Sequence, residues 1–410
     1  MSKSTTRPET SPTVEAILEW NRGRDPARLR LKFERMGRDV FAFYRGTDHL
    51  FGSAWSGLEP VDPGPDLLIC GDLHLENFGG YRSDRGTFAF DVNDFDEALV
   101  APGSLDLVRC STSILLAGEV WGLSPIRALR TVLGYLDRYR ATVLEHAGGR
   151  RGGASAEVDD LGSIERRLGD SSLATRGQRL GRFTRIDRAT GLRVLRRAGG
   201  RLPPLGPEAR AAIVGAVEAY GRALGAPEAF RVLDASARVA GIGSLGVDRY
   251  VALVEGDGSP EGNRLLDLKA AGPPSLLGCA RGPQPSSWTS EAARVVDAQR
   301  RLQAEPPADL DVIAIEGRDF RLRELIPDEN RASIDSFRRK PARLRRAVEL
   351  FGRLTGQMQL RAAGADRADE LARWAASPAL DAVIASAVRF AERTREDYRA
   401  FRKAKLDRPG

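Results

Sequence analysis

An acidic segment between Cys70 and Glu97 carries the residues of this chain that are best suited to chemistry. An Asp is followed two residues later by a His and five residues later by an Asn, and a turn-rich break then leads into a burst of carboxylates. These side chains are Asp72, His74, Asn77, Asp91, Asp94, Asp96 and Glu97. An Asp, an Asn and a later Asp at this spacing are typical of phosphoryl transfer, in which the first Asp accepts the proton of the attacking hydroxyl and the other two hold Mg²⁺ on the nucleotide phosphates.

Each residue of this acidic segment has a functional and a structural alternative. Asp72 is the candidate general base, or it caps a turn after a buried strand. His74 contacts substrate or phosphate, or it supports the loop by hydrogen bonding. Carboxylates this close together repel one another, and a divalent cation would relieve the repulsion. The candidate magnesium ligands are Asn77 and Asp94, with Asp91 and Asp96 as candidates for a second ligand unless both are solvated.

A second motif follows about 150 residues later, where residues 241–246 read GIGSLG and match G-x-G-x-x-G. In a dinucleotide-binding unit these glycines open a helix. Here they lead into RYVALV, whose β-branched and aromatic residues are typical of a strand. A glycine turn between two strands is the arrangement that folds over nucleotide phosphates in protein kinases. The candidate phosphate-binding residues are Gly241, Gly243, Ser244 and Gly246, and the alternative is an ordinary tight hairpin.

The strand that follows this glycine turn ends at Lys269, 23 residues after Gly246. A kinase-like site needs a lysine on that strand to pair with the nucleotide phosphates, and a carboxylate on the next helix to orient it. Asp297 is the candidate carboxylate, with Glu291 as the fallback. The alternative is a solvated lysine at the end of a strand.

Length and composition place the chain among ordinary globular proteins, with 410 residues, 42% hydrophobic and 29% charged. The formal net charge of +7 is mild for this length and does not favour nucleic-acid binding. Three scattered cysteines suit a reducing compartment. The N-terminus has no apolar leader and no run approaches 18 apolar residues, so we expect neither a signal peptide nor a membrane span, and a cytoplasmic location.

Apolar periodicity predicts the elements that must position these motifs. Helices are expected at 13–38, 105–118, 125–147, 207–224, 289–304 and 341–360. Strands are expected at 41–46, 66–70, 88–92, 237–240, 249–254 and 265–269, and a hairpin at 312–325. The predicted domains are a disordered N-terminus (1–12), an N-terminal helix and strand segment (13–64), a helical lobe (65–225) containing an Arg/Gly-rich connection (148–206), a sheet lobe (228–327) and C-terminal helices packed on the helical lobe (335–410).

Three short segments of the sequence resemble motifs of known phosphotransferases. GDLHLEN (71–77) resembles the catalytic loop of aminoglycoside phosphotransferases and other protein-kinase-like enzymes, and NDFDEA (93–98) resembles their metal-binding segment. LDLVRCS (105–111) resembles the helix start whose Asp, here Asp106, braces the catalytic loop. Over roughly residues 30–365 the pattern also resembles the bacterial family called domain of unknown function 2252, which has FYRG, GDxHxxNFG, NDFDE, GxGSxG and LxxK in the same order.

The order of the motifs implies a circular permutation, because a kinase has its glycine loop and lysine before the catalytic loop. The resemblance implies an α+β, two-lobed, protein-kinase-like fold with a small antiparallel sheet lobe and a larger helical lobe. The cut would fall between the helix at 341–360 and the catalytic loop. The chain departs from the kinase pattern at four positions, Cys70, Asp248, Asp297 and Leu360.

The function that the resemblance implies is ATP- and magnesium-dependent transfer of a phosphoryl group to a hydroxyl, with a small molecule as the expected acceptor. Asp72 would deprotonate the acceptor, and Lys269 would bind the nucleotide phosphates. Two alternatives stay open: a pseudokinase or ATP-sensing regulatory protein, and a nucleotidyl transferase that moves AMP. A metallohydrolase would leave the glycine turn and Lys269 unexplained.

Overall fold

The structure is a computed structural model that describes residues 11–147, 176–197, 200–243, 245–325 and 341–406. The fold is α+β, with about 51% helix and small antiparallel sheets. No helix in these ranges combines the length and apolar character needed to cross a membrane. The predicted role of Ser244, residues 1–10 of the predicted disordered N-terminus (1–12), and residues 148–175 and 198–199 of the predicted connection at 148–206 lie outside the described residues.

Four helices open the described chain: α1 (Pro12–Trp20), α2 (Pro26–Met36), α3 (Val40–Gly46) and α4 (Asp48–Leu58). The first two confirm the predicted helix at 13–38. The N-terminal helices pack against α11 (Ala379–Lys403), where the ring of Phe33 in α2 and the ring of Phe43 in α3 lie 6.0 and 5.3 Å from the ring of Phe401. The Thr13 hydroxyl donates to Asp397 at 2.6 Å. The N-terminal helices are therefore fixed by a helix nearly 400 residues away in the sequence.

The predicted strand at 41–46 is wrong, because these residues form helix α3. The Asp39 side chain accepts the Ala42 N–H at 2.7 Å and caps the start of the helix. Six of the seven residues of α3 are buried. A helix buried on nearly every side shows no polar and apolar alternation, and a short apolar run of this kind cannot be told from a buried strand by periodicity.

Two short antiparallel strand pairs hold the acidic segment: β1 (Asp66–Ile69) pairs with β4 (Leu99–Pro102), and β2 (Phe78–Arg82) pairs with β3 (Phe88–Val92). The strands predicted at 66–70 and 88–92 are confirmed. Gly71, just after β1, has φ 88°, which favours glycine. A Cβ at Gly71 would lie 2.2 Å from the carbonyl oxygen of Glu97. The two ends of the acidic segment are therefore in direct contact.

The main hydrophobic core lies between α5 (Ser104–Val120), α6 (Pro125–Ala147), α10 (Pro341–Ala376) and α11. The helices predicted at 105–118, 125–147 and 341–360 are confirmed. The predicted apolar face of α10 is buried throughout, at Leu344, Val348, Phe351, Leu354 and Met358. Phe351 stacks on Phe78 of β2 with 4.1 Å between ring centroids, so this core also supports the acidic segment.

A five-stranded antiparallel sheet has the order β10-β11-β9-β8-β7. Its strands are β7 (Val232–Ala237), β8 (Arg249–Val254), β9 (Arg264–Ala270), β10 (Asp311–Ile315) and β11 (Arg318–Glu324). The predicted strands at 249–254 and 265–269 and the predicted hairpin are confirmed. The strand before the glycine turn, however, is β7, which ends at Ala237 instead of occupying 237–240.

Helices cover the sheet and connect it to the rest of the molecule. α8 (Pro207–Ala223) packs on one face through Ile213 and Val217, as the predicted helix at 207–224 requires. The other face packs against α7 (Arg176–Phe183) and the small pair β5 (Thr184–Ile186) and β6 (Arg193–Leu195). α9 (Glu291–Leu302) follows β9 and confirms the predicted helix at 289–304.

Candidate active site

A pocket with a cavity volume of about 150 Å³, continuous with open solvent, lies where the acidic segment, the glycine turn and the N-terminal helices meet. The predicted site residues that line it are Asp72, Asp94, Asp96, Gly241, Gly243 and Lys269. Two segments separated by about 150 residues in the sequence thus share one cavity. The N-terminal helices and their connections add a further wall, formed by Trp20, Arg24, Lys32, Arg45 and Asp48.

Lys269 takes its carboxylate partner from the acidic segment. β9 carries Lys269 to the pocket, where its ammonium group is paired with Asp96. The predicted partner Asp297 instead accepts from the Trp288 indole N–H at 2.8 Å and lies outside the pocket lining. Glu291, the fallback, is paired with Arg294 of its own helix at 2.6 Å. The expectation of a carboxylate supplied by the following helix is therefore corrected to one supplied by Asp96.

Asp72 is held by a buried arginine. Its Oδ1 accepts from Nε and Nη2 of Arg109 at 2.9 and 2.7 Å, and 22% of its side chain is exposed. Burial raises the pKa of Asp72 to about 7, with Arg109 opposing that shift and Asp48 adding to it. Arg109 also pairs with Asp48 at 2.9 Å and lies 3.9 Å from the centre of the Tyr44 ring. Sequence analysis missed Arg109, although an arginine inside an apolar helix signals a nearby carboxylate.

His74 and Asn77 hold the loop that carries Asp72. The His74 Nδ1 accepts from the Glu76 N–H at 3.1 Å, and its Nε2 lies 3.9 Å from Asp72 Oδ2. The Asn77 amide donates to the Asp72 carbonyl. Both side chains are buried and lie outside the pocket lining, so their visible role is to fix the backbone of the loop.

Asp106 braces the same loop from the start of α5. Its carboxylate accepts the backbone N–H groups of Cys70 at 3.0 Å and Gly71 at 2.9 Å, and the residue has no exposed surface. Burial raises the pKa of Asp106 to about 7, while the two backbone hydrogen bonds act in the opposite direction. Because Asp72 directly follows Gly71, this brace determines where the candidate base is placed.

The candidate metal ligands separate into two groups. Asp91 is 2% exposed and lies outside the pocket lining, where it accepts from the Val92 N–H at 2.8 Å and pairs with Arg361 at 3.2 Å. Asp94 and Asp96 line the pocket. Within the described ranges, no three His, Cys, Asp or Glu residues are grouped so that they could hold a metal ion. Mg²⁺ needs fewer, since one or two carboxylates commonly bind it together with water and substrate phosphates.

Two glycines of the glycine turn adopt a left-handed backbone conformation. Gly241 and Gly246 have φ values of 78° and 95°, which side chains other than hydrogen rarely allow. Gly241 and Gly243 line the pocket, whereas Gly246 lies outside its lining. A Cβ at Gly246 would come within 2.9 Å of the Arg24 side chain.

Two arginines of the N-terminal segment hold this turn. Arg35 donates to the Gly241 carbonyl at 2.6 Å, and Arg24 donates to the carbonyls of Gly243 at 3.2 Å and Leu245 at 3.0 Å. The glycine turn is therefore attached to the N-terminal helices as well as to the sheet. No spacing rule in the sequence indicated these contacts.

A second carboxylate pair lies deeper in the pocket. The Ser275 hydroxyl lies 2.7 Å from Asp48 Oδ2 and 2.9 Å from Glu97 Oε2. Burial raises the pKa of Glu97 to about 8, and repulsion from Asp48 adds to the shift. The pocket lining therefore contains five carboxylates (Asp48, Asp72, Asp94, Asp96 and Glu97) opposite four cations (Arg24, Lys32, Arg45 and Lys269).

The strand that carries Lys269 is fixed by a buried charge cluster. Asp267, two residues earlier on β9, is fully buried and pairs with Arg238, Arg249 and Arg321 at 2.7–2.9 Å. Burial alone would raise the pKa of Asp267, but the three guanidinium groups hold it well below its usual range. Side chains two residues apart on a strand share a face, so this cluster lies on the same side of the sheet as Lys269.

Comparison with known proteins identified one family. The family described as "Uncharacterized protein conserved in bacteria (DUF2252)" matches residues 24–404. The match includes the acidic segment, the glycine turn and most of the N-terminal wall of the pocket. Neither the curated proteins nor the solved structures gave a match.

Proposed function

We propose that the chain, which belongs to the bacterial family DUF2252, is an ATP- and magnesium-dependent phosphotransferase that acts on a hydroxyl of a small-molecule acceptor. One observation carries the proposal: Asp72 and Asp94 share a pocket with Lys269 and the glycine turn. An acidic cluster alone would fit many chemistries. The binding of a nucleoside triphosphate requires a lysine and a glycine turn in addition to the acidic cluster.

Asp72 is the residue that accepts the proton of the acceptor hydroxyl. A base works best when its pKa lies near the working pH, and the pKa of Asp72 is raised to about 7. Arg109 fixes the carboxylate through Oδ1. As the proton moves to Asp72, the acceptor oxygen forms a bond to the γ-phosphorus, the bond from that phosphorus to the bridging oxygen breaks, and ADP leaves with the electron pair.

Lys269 and the glycine turn bind the phosphates. Lys269 is paired with Asp96, so an arriving triphosphate would compete with that carboxylate for the ammonium group. The pocket carboxylates Asp94 and Asp96 fit a magnesium ion that also binds phosphate oxygens. When bound, magnesium supplies charge neutralisation for the transferred group.

The same proposal includes a circularly permuted kinase-like fold. Its support is the order of elements: the glycine turn lies between β7 and β8, Lys269 lies at the end of β9, and α9 follows. The acidic segment, which a kinase has after these elements, comes before them here. The five-stranded sheet would form the smaller lobe and the helical core the larger one.

The test measures ATP consumption and label transfer with ATP labelled at the α- or the γ-phosphate, in the presence of Mg²⁺ and a panel of hydroxylated small molecules. The variant is Asp72→Asn, which keeps an oxygen for the buried Arg109. The matched control is Asp369→Asn, at an exposed position of α10. We expect γ-label transfer by the wild type and the control, and a loss of about 10²–10⁴-fold in Asp72→Asn, with nucleotide affinity retained.

Each other outcome assigns a different function. Transfer of the α-label identifies a nucleotidyl transferase. Nucleotide binding without transfer of either label identifies an ATP sensor or pseudokinase. Unchanged ATP consumption in Asp72→Asn, or no binding of Mg–ATP to the wild type, overturns the proposal.

A further inference from the structure

Lys32 of α2 is a buried amine at the wall of the pocket. It is 1% exposed, and its Nζ donates to the amide oxygen of Asn21 at 3.0 Å. An ammonium group has three N–H donors, and a buried charge is ordinarily paired with an opposite charge. Among the described residues, no carboxylate lies within ion-pair distance of this nitrogen.

The surroundings of Lys32 disfavour its protonated form. Burial lowers the pKa of Lys32 well below its usual value, and repulsion from Arg24 adds to the effect, while Glu97 opposes it. Burial also lowers the pKa of His49, with Lys32 and Arg24 adding to the shift, and its ring nitrogens are buried without a hydrogen-bond partner among the described residues. An anion placed beside Lys32 would reverse this balance, because a nearby negative charge favours the protonated amine.

Lys32 belongs to a group of cations separate from Lys269. Arg24, Lys32 and Arg45 reach the pocket from the N-terminal helices, whereas Lys269 reaches it from the sheet beside the glycine turn. Arg24 is committed to the carbonyls of the glycine turn and Arg45 to Glu76 at 2.6 Å. The partner of Lys32 is a neutral amide, so we expect an anionic ligand to stabilise the charge of Lys32 more than that of Arg24 or Arg45.

We propose that Lys32 is the centre of a second anion subsite, which binds a phosphate or carboxylate group of the acceptor while Lys269 binds the nucleotide. This inference rests on the proposed phosphotransferase function and narrows its substrate class to hydroxylated anions. An anion at the subsite favours the protonated form of Lys32, so its binding should draw protons from solvent. Proton uptake distinguishes this site from an arginine site, which is always charged.

The test uses inorganic phosphate and acetate, the smallest probes of the two anion types, titrated by calorimetry into full-length protein saturated with Mg²⁺ and a non-hydrolysable ATP analogue. Occupying the nucleotide site first prevents phosphate from binding where the γ-phosphate belongs. Titrations in two buffers of different ionisation enthalpy measure proton uptake. The variant is Lys32→Met, which keeps the length of the side chain, and the matched control is Lys403→Met at an exposed position of α11.

We expect wild type and Lys403→Met to bind one of the two anions with proton uptake. Lys32→Met should bind it at least about tenfold more weakly and without uptake, while its affinity for the analogue is unchanged. Lys32→Arg should keep the binding and lose the uptake, which separates a charge effect from misfolding. Whichever of the two anions binds with the higher affinity indicates whether the acceptor group is a phosphate or a carboxylate.

Two results would overturn the inference. Equal anion affinity in Lys32→Met and wild type removes the subsite. Loss of analogue affinity in Lys32→Met assigns Lys32 to the nucleotide and leaves the proposed function intact. If wild type binds no analogue at all, the proposed function fails, and the phosphate titration of the ligand-free protein still tests Lys32.

Discussion

Replacing Asp106 with Ala should destabilise the protein through the loop that carries the candidate base. The Asp106 carboxylate accepts the N–H groups of Cys70 and Gly71 in a fully buried position. Alanine offers neither oxygen to the N–H groups of Cys70 and Gly71. Both donors would then be buried without an acceptor.

The expected loss follows from the cost of those two donors. A buried polar group that loses its partner costs about 1–3 kcal/mol, so two of them cost about 2–6 kcal/mol of unfolding free energy. That is a large part of the ~5–15 kcal/mol by which domains are usually stable. The loss also depends on pH. The pKa of Asp106 is raised to about 7, so its contribution is complete below its unfolded pKa and is lost as the pH rises through about 7.

The assay is urea unfolding of wild type and Asp106→Ala at about pH 5 and about pH 8, followed by circular dichroism. The difference in unfolding free energy should be larger at the lower pH. Asp369→Ala, at an exposed position, is the control and should stay within about 0.5 kcal/mol of wild type. A loss below about 1 kcal/mol for Asp106→Ala, or a difference that grows with pH, would refute the reasoning.

Three further predictions concern the pocket and the sheet. Lys269→Met should weaken binding of a fluorescent ATP analogue by about tenfold or more, measured by titration, and an unchanged affinity would contradict the role given to Lys269. Asp267→Ala should lower the unfolding free energy by about 3–5 kcal/mol, because three buried guanidinium groups lose their counter-charge; a thermal melt like that of wild type would count against this. The pKa of Glu97 is raised to about 8. Its contribution to stability is therefore complete below the pKa that Glu97 has in the unfolded chain, and it is lost as the pH rises through about 8. Glu97→Gln should therefore flatten the fall in stability between about pH 6 and about pH 9, and an identical pH profile would disprove that assignment.

Local spacing was enough to predict the acidic segment and most elements around it. The Asp72 to Asn77 interval fits within one turn-rich loop, so the contacts among its residues follow from short-range geometry. The long amphipathic helices were predictable because their apolar residues recur with the helical period. The glycine turn was recognisable because β-branched residues follow it and exclude the helix of a dinucleotide site.

Contacts between distant segments were not predictable in this way. Lys269 was expected to pair with Asp297, yet the packing of β9 against the acidic segment brings Asp96 to it instead. The positions of Arg24 and Lys32 in the pocket depend on how α1 and α2 pack on α11, and no spacing within those helices encodes that. The wrong prediction at 41–46 has another cause, since a segment that is buried on nearly every side carries no periodic signal.

The contact between the N-terminal helices and α11 has a consequence for how the protein is made. The aromatic ring of Phe401 closes the cluster that Phe33 and Phe43 begin, and about 370 residues separate the first of these from Phe401. During synthesis, therefore, these two aromatic rings stay without their partner until Phe401 has left the ribosome. Throughout that interval the nascent polypeptide exposes an apolar surface of the kind that chaperones recognise, and the wall of the pocket that contains Lys32 cannot be completed before α11 has been translated.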